Sequence, residues 1–344
     1  TRFKCDWSSD VCSSDLIADR RIVPSQLSVT QLLFEYFSSE LSFIGQLPSL
    51  TELHCHSLDW ANFEIRRHSP LRSLTVSLTY RSELPSFVRL LQLPALASLS
   101  ISFSFASHLE HLPIFTARCS SLTSLSLHNG TRAYATLPSI LTHWFSNVSV
   151  PNLRSLTLQR MTLGEAELAA IATVSSLTAL TLDRLSSWEP ETAILRLSQL
   201  HSLCHLTMGF LQPEHLPSIA QLTQLERLDC RFHFGICIDN PDRPLDKLSR
   251  LHTLSNAYNL VKGALRSMPP SLTSFSAKLA APEDLPNLDE LKDCLPNLQT
   301  LLTRSTTPSV EQVQERVRAV RPQLAVLEWS GGELPVEFAS LGFV

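Results

Sequence analysis

The chain has 344 residues, of which 44 % are hydrophobic and 17 % are charged, and its formal net charge at pH 7 is −4. No apolar run reaches the roughly 18 residues that a membrane span needs. No cluster of Lys and Arg marks a nucleic-acid footprint. We therefore expect neither a membrane-spanning segment nor a nucleic-acid partner.

Residues 1–16 form the first segment, and their sequence TRFKCDWSSDVCSSDL fits nothing that follows. The segment resembles the in-frame translation of a short-read sequencing adapter over its whole length. The alternative is a genuine cysteine-rich N-terminus. Segments of foreign origin are left out of fold reasoning, so we expect residues 1–16 to be unrelated to the fold. Natural coding sequence running through these codons in genomic DNA would contradict this expectation.

Residues 17–46 are predicted to form an N-terminal flank or the remnant of a cap. They contain the apolar stretches Ile22-Val-Pro24 and Leu32-Leu-Phe34, and they show no F-box pattern. From residue 47 to residue 344 we predict one repeat domain.

A phrase of the form L-x-x-L-x-L recurs through this domain, as in Leu122-Thr-Ser-Leu125-Ser-Leu127. We call its first leucine the anchor. Successive anchors lie 21 to 31 residues apart, which matches the period of about 20–29 residues of leucine-rich repeats. The anchors are Leu50, Leu71, Leu96, Leu122, Leu153, Leu177, Leu203, Leu225, Leu251, Leu272, Leu298 and Leu324.

On these residues the chain resembles the leucine-rich repeat superfamily. The resemblance implies an α/β solenoid of about 12 repeats with a horseshoe form. A parallel β-sheet would line its concave side, and helices, 3₁₀ segments and loops would form its convex side. Side chains alternate between the two faces of a strand, so the second and third leucines of each phrase are predicted to point inward. Many such repeats carry a ladder of buried asparagines, but this chain has residues such as Gly130 and Met161 at that place, and we expect no ladder.

Three return segments are predicted to be helical. Thr162-Leu-Gly-Glu165 has the form of a capping box, and Leu168, Ile171 and Val174 follow it as an inward stripe. A helix is predicted between Thr307 and Pro322, with valines at helical spacing. A third is predicted over Leu285, Leu288, Leu291 and Leu295. Units of 21 or 22 residues are expected to return through turns or 3₁₀ segments.

Two insertions interrupt the period. Residues 137–145 have apolar side chains at helical spacing and are predicted to form a helix that packs on the solenoid edge or docks a partner. Residues 232–244 are rich in Pro and Asp and are predicted to form a loop.

The cysteines and glycosylation signals bear on the compartment. Cys55 and Cys230 occupy third apolar positions, and small buried residues are expected there. The sequence has no paired cysteine cluster of the kind that is typical of a disulfide cap. This favours a reducing compartment and therefore a cytoplasmic or nuclear location. The sequons Asn129-Gly-Thr131 and Asn147-Val-Ser149 argue in the other direction.

The outward positions of the phrases predict the concave surface. Most hold Ser or Thr, which suits exposed strands. The exceptions are charged residues centred on Arg227, Asp229 and Arg231, which alternate on one strand and therefore share a face. With their neighbours they form the predicted partner-binding patch, unless they are an ordinary solvated ion-pair row; its members are Asp183, His205, Arg227, Asp229, Arg231, Lys278 and Arg304.

Catalytic and cofactor motifs are missing from the sequence. There is no Gly-rich phosphate loop, G-x-S-x-G, H-E-x-x-H or paired C-x-x-C. Glu52, His54 and His56 share one face, but a metal site needs three or four ligands with supporting contacts. We therefore predict no enzyme activity, no cofactor and no metal.

The predicted function is that of a monomeric scaffold that binds a protein on its concave face or edge loops. A finer hypothesis is the substrate-recognition part of an F-box-type ubiquitin ligase. The alternatives are the ligand-sensing repeat portion of an immune-type receptor and the docking domain of a larger enzyme.

Overall fold

The structure, a computed structural model, describes residues 2–5, 30–34, 47–55, 69–78, 93–103, 120–130, 135–136, 150–183, 195–211, 215–233, 244–258, 264–279, 288–305 and 310–328. The chain divides into two compact units. We call Thr1–Glu189 the N-terminal unit and Pro190–Val344 the C-terminal unit.

The N-terminal unit is built on a parallel sheet. Each strand of this sheet is hydrogen-bonded to the strand that follows it in the sheet. A short parallel pair, β7 with β9, lies outside this sheet. The strands are β1 (Arg2–Cys5), β2 (Gln31–Phe34), β3 (Glu52–Cys55), β4 (Ser73–Leu78), β5 (Ser98–Phe103), β6 (Ser124–Asn129), β7 (Ala135–Thr136), β8 (Ser155–Gln159), β9 (Met161–Thr162) and β10 (Ala179–Asp183).

The C-terminal unit repeats this arrangement, again with parallel pairing between strands that follow one another in the chain. Its strands are β11 (His205–Leu211), β12 (Arg227–His233), β13 (Thr253–Tyr258), β14 (Ser274–Leu279), β15 (Thr300–Ser305) and β16 (Ala325–Glu328).

The repeated leucines form the core of both units. Every anchor from Leu50 to Leu324 is buried, and none is more than 6 % exposed. The strand residues alternate in burial, as in β6, where Leu125 and Leu127 are buried while Ser124 and Ser126 are not. This alternation follows from the pleat of a strand, which sends successive side chains to opposite faces. The inward positions predicted from the sequence are therefore confirmed for these strands.

Main-chain hydrogen bonds tie each repeat to the next at the residue that follows the anchor. The N–H groups of Arg72 and Ser73 both donate to the carbonyl of Thr51, at 2.8 and 3.0 Å. The same two bonds recur in other described repeats. The carbonyls that accept such a pair of bonds belong to Thr30, Thr51, Arg72, Ala97, Thr123, Arg154, Cys204, Glu226, His252 and Thr273. Because one bonding pattern recurs with the sequence period, each unit is a leucine-rich repeat solenoid.

Side chains just before the anchors add further links between neighbouring repeats. Ser121 Oγ donates to the carbonyl of Leu96 at 2.9 Å, and Ser176 Oγ donates to that of Leu153 at 2.7 Å. Asn152 Nδ2 donates to the carbonyl of Ser120 at 2.6 Å. These polar side chains therefore bond one repeat to the main chain of the preceding repeat.

Short helical segments lie between the strands. They are α1 (Glu165–Ala172), α2 (Leu216–Ile219), a 3₁₀ turn (Pro244–Lys247), a second 3₁₀ turn (Ala264–Ser267), α3 (Leu291–Cys294) and α4 (Val310–Val320). The second 3₁₀ turn returns the 21-residue unit between Leu251 and Leu272, as predicted for a short unit. No described helix is long and apolar enough to span a membrane.

The predicted capping box of α1 is wrong by two residues. Thr162 lies in β9, and the helix is preceded by Gly164, whose backbone is extended. The Gly164 N–H donates to Glu167 Oε2 at 2.8 Å, so Glu167 and not Glu165 closes the box. The inward stripe that follows is confirmed, because Leu168, Ile171 and Val174 are buried. Gly164 leaves room for the carboxylate of Glu167 at this position, because a Cβ on residue 164 would lie 2.8 Å from Glu167 Oε2.

The two other helix predictions have different outcomes. Helix α4 lies within the predicted bounds and buries Val313 and Val317. In the segment predicted from Leu285 to Leu295, residues 288–290 form a 3₁₀ turn that leads into the α-helix Leu291–Cys294. Leu285 lies outside the described residues, as do residues 137–145 of the first insertion and residues 234–243 of the second.

Candidate functional site

The outward face of the sheet, opposite the leucine core, has the positions from which the sequence predicted partner contact. On β12, Arg227 and Asp229 are partly exposed while Leu228 and Cys230 are buried, so the two charged residues do share the outward face. Parallel pairing sets Arg227 between His205 of β11 and Thr253 of β13. His205 is exposed.

Arg227 is a partly desolvated cation next to a carboxylate. Burial lowers the pKa of its guanidinium, and the negative charge of Asp229 acts in the opposite direction. Burial disfavours the charged form of a group, and a nearby opposite charge favours it. Asp229 therefore offsets part of the desolvation cost of Arg227. We call His205, Arg227 and Asp229 the outward charged cluster.

Three further predicted site residues, Arg231, Lys278 and Arg304, lie on β12, β14 and β15. Arg231 pairs in register with Phe210, and Lys278 pairs with Arg304 on adjacent strands β14 and β15. Lys278 lies four residues along β14 from Ser274, the residue in the register row of Arg227, which corresponds to about 13 Å of strand. The side chains of Arg231, Lys278 and Arg304 lie outside the described part of the structure.

Asp183 belongs to the N-terminal unit, at the end of β10. Its register partner is Gln159 of β8, and the partner of Gln159 on the other side is His128 of β6. The carbonyl of Asp183 accepts a hydrogen bond from Arg160 N–H at 3.0 Å. The sequence did not indicate the row of His128, Gln159 and Asp183, because the row arises from pairing between three strands.

Part of the predicted hydroxyl-lined surface is not exposed. Ser255, Ser274 and Ser276 occupy outward positions in the C-terminal unit, yet they are only 6–8 % exposed. Leu302, the register partner of Ser276, is 1 % exposed. Alternation along a strand therefore gives the face on which a residue lies but not its exposure to solvent.

A buried asparagine also escaped the sequence analysis. Asn129 is 0 % exposed, and its Nδ2 donates to the carbonyl of Arg160 at 3.1 Å. Arg160 has a positive φ of 56°, a left-handed conformation that is uncommon for residues other than glycine. The expectation that the chain has no asparagine ladder was based on Gly130, which lies one position after Asn129. Since the amide of Asn129 is enclosed and bonded, the sequon at this residue is closed in the folded chain.

The cysteines and the candidate metal ligands can be placed only in part. Cys55 and Cys230 are buried as predicted, and burial raises the pKa of the Cys55 thiol well above its ordinary value. On β3, Glu52 Oε2 accepts a hydrogen bond from Gln31 Nε2 at 2.7 Å, and His54 is partly exposed. His56 lies outside the described residues. Among the residues that are described, no group of three or more His, Cys, Asp or Glu is placed to hold a metal ion.

Comparison with known proteins gave similarities in sequence and in structure but no family. No family model matches the chain. A protein described as "Exosome complex component 10 homolog" from Drosophila melanogaster is 33 % identical over 132 residues, covering 34 % of this chain. The match covers only 14 % of that relative's length. An internalin (inlF) from Listeria monocytogenes str. 4b F2365 is similar in structure, with 16 % identity and a TM-score of 0.46, over 89 % of this chain and 88 % of that chain.

Proposed function

We propose that this protein is a non-catalytic scaffold that binds another protein through the outward face of its repeat sheet. The observation that supports this most directly is the outward charged cluster on β11 and β12. Arg227 is half-desolvated there, and it is held beside Asp229 and the exposed His205. Arginine is enriched among the residues that carry binding energy in protein interfaces.

The electrostatics of this cluster favour specificity over strength. Charged groups at an interface steer the partner and fix its register more than they add net affinity. A cation and an anion fixed on one strand present a pattern that a complementary pair on the partner would match. The buried hydroxyls of the C-terminal unit give no comparable signal, because they are not accessible.

The test exchanges the two charges. In the double variant Arg227→Asp and Asp229→Arg, the net charge is kept and the order of the charges is reversed. We expect loss of a specific partner that the wild-type chain retains in quantitative affinity purification from cells of the source organism. An unchanged set of partners would contradict the assignment of the outward charged cluster.

The matched control exchanges an Arg–Asp pair away from the outward face. Arg316 of α4 donates to both carboxylate oxygens of Asp289, and both side chains are nearly half exposed. The variant Arg316→Asp and Asp289→Arg is expected to retain the partner. Thermal unfolding of both variants checks that each is folded, so that loss of binding is not confused with loss of structure.

The finer role proposed is substrate recognition within an F-box-type ubiquitin ligase in the cytoplasm or nucleus. This role needs an F-box outside the repeat sheet, whereas a receptor or an enzyme would need a nucleotide-binding or catalytic domain. The complete reading frame upstream of the repeats is the measurement that separates them. An upstream phosphate-binding loop or catalytic domain would contradict the ubiquitin-ligase role.

A further inference from the structure

A polar groove of about 580 Å³ lies in the C-terminal unit, on the turns that lead into β13, β14, β15 and β16. Its lining residues precede the strands, whereas the outward charged cluster lies on strands β11 and β12. Four neighbouring strands at about 4.8 Å spacing give it a length of about 14 Å, which matches four to five residues of extended peptide.

The floor of the groove is held by the main-chain bonds that link the repeats. The carbonyl of His252 accepts from Thr273 N–H at 2.9 Å, and the carbonyl of Thr273 accepts from Gln299 N–H at 2.8 Å. Asn297 Nδ2 donates to the carbonyl of Pro270 at 2.9 Å. A surface that is already ordered loses little conformational entropy when a ligand binds.

The lining carries positive charge and no carboxylate. The guanidinium of Arg321 donates to the carbonyls of Leu295 and Pro296, the latter at 2.9 Å. Among the described residues, no carboxylate forms an ion pair with Arg321. Neutral carbonyls orient the guanidinium without neutralising its charge, which favours an anionic ligand.

Three exposed polar side chains line the groove together with Arg321. They belong to His252, Gln299 and Gln323, and the described part of the chain gives none of them a side-chain hydrogen bond. A glutamine carboxamide has both donors and acceptors, so it can bond the main-chain N–H and C=O groups of an extended peptide. The lining has no aromatic side chain, which disfavours ligands held by stacking.

We propose that this groove is a second binding surface and that it takes a short acidic segment of a partner protein in extended form. The carboxylates of the segment face Arg321 and His252, and its main chain bonds the carboxamides of Gln299 and Gln323. The whole chain carries a net charge of −4, so general electrostatic attraction to an acidic peptide is not expected.

The experiment measures fluorescence anisotropy of a labelled pentaglutamate peptide on the full chain, with pentaserine and pentalysine peptides as comparators. We expect pentaglutamate to bind more tightly than either comparator, with an affinity that falls as salt is added. The variant Gln299→Glu with Gln323→Glu is expected to bind it about tenfold more weakly, because like charges now meet.

The matched control is Gln199→Glu with Gln221→Glu, which makes the same charge change at exposed glutamines of the same unit outside the groove. It is expected to leave the affinity unchanged. Pentaglutamate binding no better than pentaserine, or an equal loss in both double variants, would overturn the proposal. Loss of pentaglutamate binding in the Arg227/Asp229 exchange would place the peptide on the outward charged cluster and also overturn it. Failure of partner capture by that cluster leaves the groove test unaffected.

Discussion

At the scale of single residues, the position of a side chain between two repeats matters more than its type. Asn129 and Asn152 both donate to a carbonyl of another repeat, but Asn129 is fully buried while Asn152 is exposed. A buried polar group left without its partner costs its full desolvation energy, whereas an exposed one can bond water.

The first prediction compares these two asparagines. Asn129→Ala is expected to lower the free energy of unfolding by about 1–3 kcal/mol, because the carbonyl of Arg160 loses its donor. Asn152→Ala is expected to cost less, at most about 1 kcal/mol, since water replaces the lost bond. Denaturant unfolding measures both. Equal losses would show that the burial of Asn129 does not matter.

The second prediction concerns pH. The raised pKa of Cys55 means that its thiol ionises in the unfolded chain first. Its stability contribution is therefore complete below the unfolded pKa of about 8.5 and is lost as pH rises toward the higher folded value, with a slope of up to about 1.36 kcal/mol per pH unit. Cys55→Ala is expected to flatten this alkaline decline, measured as the free energy of unfolding against pH.

Cys204→Ala is the control for this measurement. Burial raises the pKa of Cys204 too, but the side chain is only partly buried and the shift is smaller. It is expected to change the alkaline slope less than Cys55→Ala does. The Cys55 prediction is wrong if the slope is the same in the wild type and in Cys55→Ala.

At the scale of elements, the return segments differ while the strands repeat. The strands begin with one hydrogen-bonding pattern, in which the two N–H groups after an anchor donate to one carbonyl of the preceding repeat. The segments between them range from a four-residue 3₁₀ turn, Ala264–Ser267, to the 11-residue helix α4. Local sequence therefore predicts the strands better than the segments that join them.

The third prediction concerns the start of α1. Glu167→Ala is expected to cost about 0.5–2 kcal/mol, because Gly164 N–H loses its acceptor at the first turn. Glu165→Ala, at the residue that the sequence pattern placed in the box, is expected to cost less, about 0.3–1 kcal/mol, the range for a negative charge in the first turn of a helix. Thermal unfolding of both variants decides between the two positions. A larger loss for Glu165→Ala would favour the sequence-predicted box.

At the scale of the whole molecule, described repeats within each compact unit are bonded to their neighbours in sequence. Stability in such an array is approximately a sum of repeat stabilities and nearest-neighbour terms. A defect in one repeat is therefore expected to loosen its neighbours first and distant repeats least.

The fourth prediction tests this locality with Leu71→Ala. Leu71 is 0 % exposed, and truncation of a buried leucine costs about 2–5 kcal/mol. Amide hydrogen exchange is expected to accelerate in β3, β4 and β5 and to change little in β14 and β15. Leu195→Ala is the matched control, because Leu195 is 53 % exposed. Uniform acceleration across both units would contradict nearest-neighbour coupling.

The sequence by itself determined the repeat phase, the buried leucines and the parallel strands that follow each anchor. It could do so because alternation and period are local properties that every copy of the phrase repeats. It also placed Arg227 and Asp229 on one face, since two residues separated by one position on a strand always share it.

Only the tertiary structure decided which outward residues are exposed and which side chains meet across repeats. Asn129 reaches a carbonyl 31 residues away, and Asp183 pairs in register with Gln159, which its sequence position did not indicate. Ser255 and Leu302 are buried although the pattern points them outward. The groove of the C-terminal unit is likewise formed by turns from four repeats. Contacts of this kind depend on distances between strands and on the unequal segments that join them, which no local pattern records.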